Sequence, residues 1–182
     1  MVDVPTIRTE RLELVSFSPA VMRAVVAGDR PEAERLLGAT IVGGIEEELR
    51  GFFEIRLADV AADPTIQPWL ARAIVLIVHA SDRRVIGSVG FHGRPDDDGR
   101  AEIGYQLEPG SRGRGLATEA VRGILDWAAT EHGVLRFRAS IAPDNGASLA
   151  LAARLGFAVV GGRVDEVDGE ELVLEREDWT PA

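Results

Sequence analysis

Arg112-Gly113-Arg114-Gly115-Leu116-Ala117-Thr118-Glu119 sets a glycine-rich, twice-basic turn between a strand-like run and a strongly amphipathic helix. The two glycines let backbone approach a ligand with no Cβ in the way. The helix that follows offers unpaired N–H groups and the positive end of its dipole. Arg112 and Arg114 add charge suited to an anion. The stretch is therefore a candidate phosphate site, although glycine turns before helices are common in α/β proteins and arginines beside them are often merely solvated. Two familiar phosphate motifs fail the test. A nucleoside-triphosphate loop needs Gly-Lys followed by Ser or Thr, and Leu116 follows Gly115. A dinucleotide fingerprint needs a third small residue where Thr118 stands. It also needs an acidic residue closing the next strand, and Arg136-Phe137-Arg138-Ala139-Ser140-Ile141-Ala142 ends without one.

Outward from the turn, the helix places Ala117, Ala120, Val121, Ile124, Leu125 and Ala128 on one face, with Arg122, Asp126 and Thr130 opposite. His132-Gly133 supplies its stop. Upstream the period changes to two. Residues 73–79, a turn at Ser81-Asp82-Arg83-Arg84, residues 85–92, a turn at 95–99 and residues 101–107 read as an antiparallel meander. Downstream come a strand over 135–141, a short helix over 147–155 closed by Gly156, and strands over 158–164 and 170–177 joined near Asp168-Gly169. At the start, Arg11-Leu12-Glu13-Leu14-Val15 alternates like a strand, and Ser18-Pro19 opens a helix with Ser18 as its N-cap. Further helical segments span 31–37 and 45–60. The expected fold class is α/β (α+β): a mixed, mostly antiparallel sheet of about seven strands flanked by helices.

Composition narrows what such a fold can do. The 182 residues contain no dividing linker and are expected to form one domain over 1–182. With 46% apolar and 27% charged residues the chain is globular rather than disordered. It has no cysteine, which excludes disulfides, thiolate metal sites and a cysteine nucleophile, and fits a reducing cytoplasm. No basic, apolar leader is expected in Met1-Val2-Asp3-Val4-Pro5. The apolar run over 73–78 is too short for a bilayer, so a cytoplasmic protein without membrane contact is expected. A net charge of −10 disfavours nucleic acid and suits a cationic substrate, though acidity more often only maintains solubility. His79, His92 and His132 show no ligand spacing, and no metal is expected.

Taken in order, strand, glycine-basic turn, helix, strand, Asn-containing loop, helix and Gly-Phe resemble the GNAT superfamily of acyl-CoA-dependent N-acyltransferases. Arg112-Gly113-Arg114-Gly115-Leu116-Ala117 matches the family's Gln/Arg-x-x-Gly-x-Gly/Ala pyrophosphate motif. Asn145-Gly146-Ala147-Ser148 and Leu155-Gly156-Phe157 look like its downstream motif. Thr9-Glu10-Arg11-Leu12-Glu13-Leu14 and Ala101-Glu102-Ile103-Gly104-Tyr105-Gln106-Leu107 resemble the branch containing ribosomal-protein N-terminal acetyltransferases. The resemblance implies a central strand pair that splays to admit the acyl-pantetheine arm of acetyl-CoA. Backbone near Tyr105 and Leu107 would pair with the arm. Amides from Arg112, Gly113, Arg114, Gly115, Leu116 and Ala117 would hold the pyrophosphate, with Thr118 adding a hydroxyl and Asn145 contacting pantetheine, capping the helix, or both. The acceptor would be a primary amine, either a small molecule or a protein N-terminus, and a homodimer is left open.

Acyl transfer to an amine also needs a base, an oxyanion donor and an acid for the leaving thiolate. The resemblance points to Glu102 as base, acting directly or through water, against a plain strand-edge charge. Many relatives carry a Tyr acid where Ala152 stands. Ser148 is the alternative acid, unless it only helps cap its helix. Tyr105, the only tyrosine, is expected to pack or line the channel. His92 and Trp69 are candidates for an acceptor pocket, although packing is the commoner use of such residues. Asp96-Asp97-Asp98 would draw in a cation or simply tip a hairpin. Rival readings are a non-catalytic acyl-CoA-binding domain, which Ala152 favours, and a site for another nucleotide.

Overall fold

The period-two runs in the middle of the chain form the centre of the sheet. The structure is a computed structural model, and it describes residues 4–165 and 169–181. Its strands are β1 (Ile7–Arg8), β2 (Leu12–Ser16), β3 (Thr40–Ile41), β4 (Arg72–His79), β5 (Asp82–Phe91), β6 (Arg100–Leu107), β7 (Arg136–Ile141), β8 (Ala158–Asp165) and β9 (Gly169–Arg176). The helices are α1 (Pro19–Val26), α2 (Arg30–Leu37), α3 (Ile45–Ala62), α4 (Leu116–His132) and α5 (Gly146–Arg154). The sheet order is β1-β2-β4-β5-β6-β7-β9-β8, with β3 parallel against β5. No helix among the described residues is long and apolar enough to cross a membrane.

Alternation along the strands builds two apolar layers. Leu12, Leu14, Ile74, Ile86, Val89, Phe91 and Ile103 face one way and bury Ala120, Val121, Ile124, Leu125 and Ala128 of α4. Ala73, Val75 and Val85 face the other way, against Val21 and Met22 of α1 and Leu49 and Phe53 of α3. The amphipathic faces read from sequence are thus the packed ones. Ser18 caps α1 as expected, its Oγ accepting from Val21 N–H at 3.3 Å.

Several expectations need correction. Among the described residues the sheet has nine strands where about seven were expected, because the two-residue strands β1 and β3 carry too little pattern to be read. Asp82, Arg83 and Arg84 are not a turn. His79 pairs with Asp82 and Ile77 with Arg83, so the hairpin closes over Ala80 and Ser81. These polar side chains are at home on a strand because each finds a partner: Arg84 Nε donates to Asp82 Oδ1 at 2.7 Å, and Arg83 Nη1 to the Gly38 carbonyl at 2.6 Å. A 3-10 turn over Pro64–Trp69, capped by Asp63, was not anticipated. Asp168, in the expected last turn, lies outside the described residues.

The central splay is present. β6 and β7 run parallel and stay in register at Arg100↔Arg136, Ala101↔Phe137 and Glu102↔Arg138, after which β7 continues against β9 alone. On its other side β6 is antiparallel to β5, in register from Phe91↔Ile103 to Gly87↔Leu107. His92 N–H donates to the Glu102 carbonyl and Glu108 N–H to the Ile86 carbonyl, both at 2.9 Å, which fixes the alternation. Even-numbered residues of β6 bond to β5, so Tyr105 and Leu107 turn their N–H and C=O groups into the gap.

Candidate active site

The glycine turn takes a conformation that other residues resist. Gly113 and Gly115 have φ of 74° and 76°, in the left-handed region where a Cβ is strained. Gly115 is the N-cap of α4 and supplies no side-chain hydrogen bond, so the first N–H groups of the helix are left for a ligand. They open on a cavity of about 470 Å³ whose wall includes Tyr105, Leu107, Arg112, Gly113, Gly115, Leu116, Ala117, Thr118, Asn145 and Ser148. Nearly every residue assigned to cofactor binding therefore lies around one space.

Arg114 is the exception. It does not line the cavity. Its carbonyl accepts from Arg11 Nη1 at 3.1 Å, and its side chain is exposed, so it shapes the turn through its backbone. Leu107 contributes less than expected, since Arg112 Nε donates to its carbonyl at 3.0 Å and leaves the N–H for a ligand. Behind the turn, Glu119 Oε1 accepts from the Thr9 hydroxyl at 2.6 Å and Arg11 N–H at 2.7 Å, while Oε2 accepts from Arg11 Nε at 2.7 Å. Burial pushes the Glu119 carboxyl up, but these donors outweigh it and hold its pKa below the usual value. The Thr9-Glu10-Arg11 stretch thus braces the turn.

Across the cavity, Asn145 caps α5. Its Oδ1 accepts from Ser148 N–H at 3.1 Å while the residue also lines the cavity, which leaves the Ser148 hydroxyl with no protein partner among the described residues. The Tyr105 hydroxyl points at the Ser148 carbonyl, 3.5 Å away. Burial raises its pKa, more than that contact lowers it, so the phenol stays protonated at neutral pH. Ala152 is buried and presents nothing to the cavity. Sequence reasoning missed Arg154, which lines the same wall and donates from Nη1 to Thr118 Oγ1 at 3.3 Å. The signal was available: Ala147, Ala150, Leu151 and Arg154 all line the cavity at the spacing of one helix face.

A second cavity, of about 210 Å³, lies between α3 and the sheet. Glu48, Leu49 and Phe52 line it from α3; Gly90, Phe91 and His92 from the end of β5; Gly104, Tyr105 and Gln106 from β6. Tyr105 and Gln106 belong to both cavities, so the two spaces meet at β6. Glu102 borders neither. Its Oε1 accepts from Ser140 Oγ at 2.8 Å and Arg163 Nη2 at 3.0 Å, and lies 3.7 Å from His92 Nδ1. Of the two acceptor-pocket candidates, His92 lines this cleft. Trp69 instead packs between Phe91 and Trp127, with ring centroids at 5.6 and 5.4 Å. The acidic turn closes a hairpin, with Asp96 Oδ1 accepting the N–H groups of Asp98 and Arg100 at 3.1 and 2.9 Å.

The site thus combines a splayed parallel pair, an uncapped helix after a Gly-x-Gly turn and two cavities that meet at one strand. Residues 11–158 match the Acetyltransferase (GNAT) domain family, and the chain belongs to that family. It is 37% identical to the uncharacterized N-acetyltransferase p20 of Bacillus licheniformis over 91 residues, which is 50% of this chain and 51% of that protein. With YjdG, an uncharacterized N-acetyltransferase of Bacillus subtilis, it shares 33% identity over 45% of this chain and 49% of that one. The chain thus spans about half the length of these curated relatives. Among solved structures, an acetyltransferase from Agrobacterium tumefaciens superposes with a TM-score of 0.61 at 26% identity, covering 97% of this chain and 96% of that one. RimL, a ribosomal L7/L12 alpha-N-protein acetyltransferase crystallised with coenzyme A, shares the fold with a TM-score of 0.63 at 17% identity over 95% of this chain and 98% of its own.

Proposed function

We propose that this protein transfers an acetyl group from acetyl-CoA to a primary amine within a ternary complex. The observation that carries the proposal is the meeting of the two cavities at Tyr105 and Gln106: a donor in one and an acceptor in the other would touch across a single strand. In this reading the pyrophosphate takes the free N–H groups at the start of α4, with Arg112, Arg154 and the Thr118 hydroxyl around it. The pantetheine arm lies along the free edge of β6 and pairs with Tyr105 and Leu107 as an added strand would. The coenzyme A of the RimL structure and the N-acetyltransferase names of the Bacillus relatives support the choice of donor and of bond formed.

The acceptor enters the smaller cleft, where Glu48 favours an ammonium. Direct attack fits a chain with no cysteine, and among the described residues no Ser-His hydrogen-bonded pair lines the cleft to offer a covalent route. Backbone N–H groups between Tyr105 and Leu107 face the thioester carbonyl and would hold the oxyanion. Ser148, with its hydroxyl uncommitted, protonates the departing thiolate. The ammonium proton moves toward Glu102, which stands outside the cleft and is reached through an intervening group. Acceptors of this kind are protein N-termini and small amines, including polyamines and amine antibiotics.

The decisive experiment is thioester consumption with acetyl-CoA against a panel of Ser-, Ala- and Met-initiated peptides, spermidine and kanamycin, beside calorimetry with CoA, ATP and NAD. Turnover on any amine together with preference for CoA is the expected result. CoA binding without turnover on the whole panel would favour the binding-domain reading that Ala152 suggests, and preference for ATP or NAD would overturn the donor assignment.

A further inference from the structure

We infer that His92 is the group that takes the proton from the acceptor ammonium, and that Glu102 is its positioning residue. The inference rests on the acetyl-transfer reading above and names the base within that site.

The geometry singles out His92 in three ways. It follows the last residue of β5 and lines the acceptor cleft, with its side chain 53% exposed and therefore within reach of a ligand. Its ring lies over Gly104, one of the cleft residues beside Tyr105: a Cβ at position 104 would stand 2.9 Å from His92 Nε2, so the glycine makes room for the imidazole at the strand where the two cavities meet. Its other nitrogen, Nδ1, is 3.7 Å from Glu102 Oε1. That separation exceeds a hydrogen bond, as base–orienter pairs commonly do before substrate closes them. A proton on Nδ1 turned to the carboxylate leaves the Nε2 lone pair directed into the cleft.

Glu102 is suited to orienting a base rather than meeting substrate. It borders neither cavity, and Ser140 Oγ and Arg163 Nη2 pin the same oxygen that faces His92. Ser140 comes from β7 and Arg163 from β8, so strands on the far side of the splay fix the carboxylate. The arrangement repeats the logic of a base held by a third group.

The proton accounting closes. Nε2 of neutral His92 accepts one proton from the ammonium and becomes imidazolium. The freed amine pair attacks the thioester carbon, and the C–S bond breaks with its electron pair going to sulfur. The nitrogen's second departing proton reaches that sulfur by way of the Ser148 hydroxyl, which gives one proton and regains another. Imidazolium then releases its proton to solvent. The ionisable groups that share the cavity or the partner of His92 are Glu48 on α3, Tyr105 and Glu102 on β6, and Arg163 on β8.

The test is the pH profile of kcat/KM on the best amine of the panel for wild type, His92→Gln, His92→Ala and Glu102→Gln, with CoA affinity measured for each. General base loss predicts a fall of about 100-fold or more in kcat/KM for His92→Gln, with the acidic limb of the profile abolished and CoA affinity kept. Exogenous imidazole should restore activity to His92→Ala. Glu102→Gln should lower kcat about tenfold while the KM for the amine and CoA affinity are kept, because the imidazole is misoriented rather than lost. His92→Gln within threefold of wild type and with the limb intact overturns the inference while leaving acetyl transfer standing. Wild-type inertness on every amine overturns both. A kcat unchanged in Glu102→Gln removes the positioning role.

Discussion

Glu119→Ala tests whether the N-terminal Thr9-Glu10-Arg11 stretch braces the phosphate turn. The side chain is only 14% exposed and collects three donors: the Thr9 hydroxyl, Arg11 N–H and Arg11 Nε. Hydrogen bonds to a charged group contribute about 1.5–3 kcal/mol each at full strength, but the three losses are unequal. Arg11 is 43% exposed and its guanidinium rehydrates, so that pair counts for less than about 1 kcal/mol. The Thr9 hydroxyl keeps the Leu12 carbonyl at 3.3 Å as an alternative acceptor. The Arg11 amide loses its side-chain acceptor, and the first turn of α4 loses a favourable negative charge of about 0.5 kcal/mol. Together these give about 3 kcal/mol, or roughly 6–12 °C in Tm for a domain of this size. Thermal unfolding followed by circular dichroism reads the shift. Because Arg11 also holds the Arg114 carbonyl, CoA affinity should fall with it. A melt within about 2 °C of wild type would refute the brace. Acidification supplies an independent check. The folded pKa of Glu119 lies below that of an unfolded glutamate, so its stabilisation is complete above the unfolded value and is lost as pH falls through the folded one. Wild type should therefore lose stability below about pH 4.5 faster than Glu119→Gln.

Gly115→Ala tests the turn itself: with φ at 76° and Arg11 Nη2 at an ordinary 3.6 Å from the new Cβ, the expected penalty is backbone strain of about 1–2 kcal/mol. Relief of that strain reorients the first N–H groups of α4, so calorimetry should show roughly tenfold weaker CoA binding, and unchanged affinity would detach the turn from the ligand. Arg154→Ala should weaken CoA binding and flatten its salt dependence, because a cation aimed at phosphate is lost. An unaltered salt slope would place Arg154 outside the phosphate site.

The glycine turn and the cavity beside it were legible because they are local. Arg112 to Thr118 form one turn and the start of one helix, and both left-handed positions are glycines, so adjacent residues set the shape of the turn. What was not legible there is side-chain direction. Arg114 looked like a second anion ligand, yet Arg11, distant in sequence, fixes its carbonyl, and Arg114 does not line the cavity. Arg154 escaped because its approach to Thr118 depends on how α5 docks, although its helix-face spacing with Ala147 pointed the right way. The strands missed in the sheet are the two-residue β1 and β3, where periodicity has nothing to act on.

The smaller cleft was harder to read because it is assembled across strands, but part of it follows from the hairpin alone. In β5–β6 the pairs Phe91↔Ile103 and Gly90↔Gly104 straddle Asp97 equally, so the acidic turn is the symmetry point of the hairpin. The same count sets His92 opposite Glu102, as the 2.9 Å bond from His92 N–H to the Glu102 carbonyl bears out. Counting outward from Asp97 would have joined the histidine and the carboxylate without any structure, had the turn been treated as fixing register rather than as a possible lure for cations. Arg163 could not have been found this way. It arrives on β8, beyond the splay, and only the β7–β9–β8 pairing brings it to Glu102. The residues that lock the carboxylate therefore depend on the whole sheet, while the pair that would handle the proton is set by one hairpin. Lengthening the 95–99 turn by one residue would break that pairing and, on this reasoning, impair turnover on the amine far more than binding of CoA.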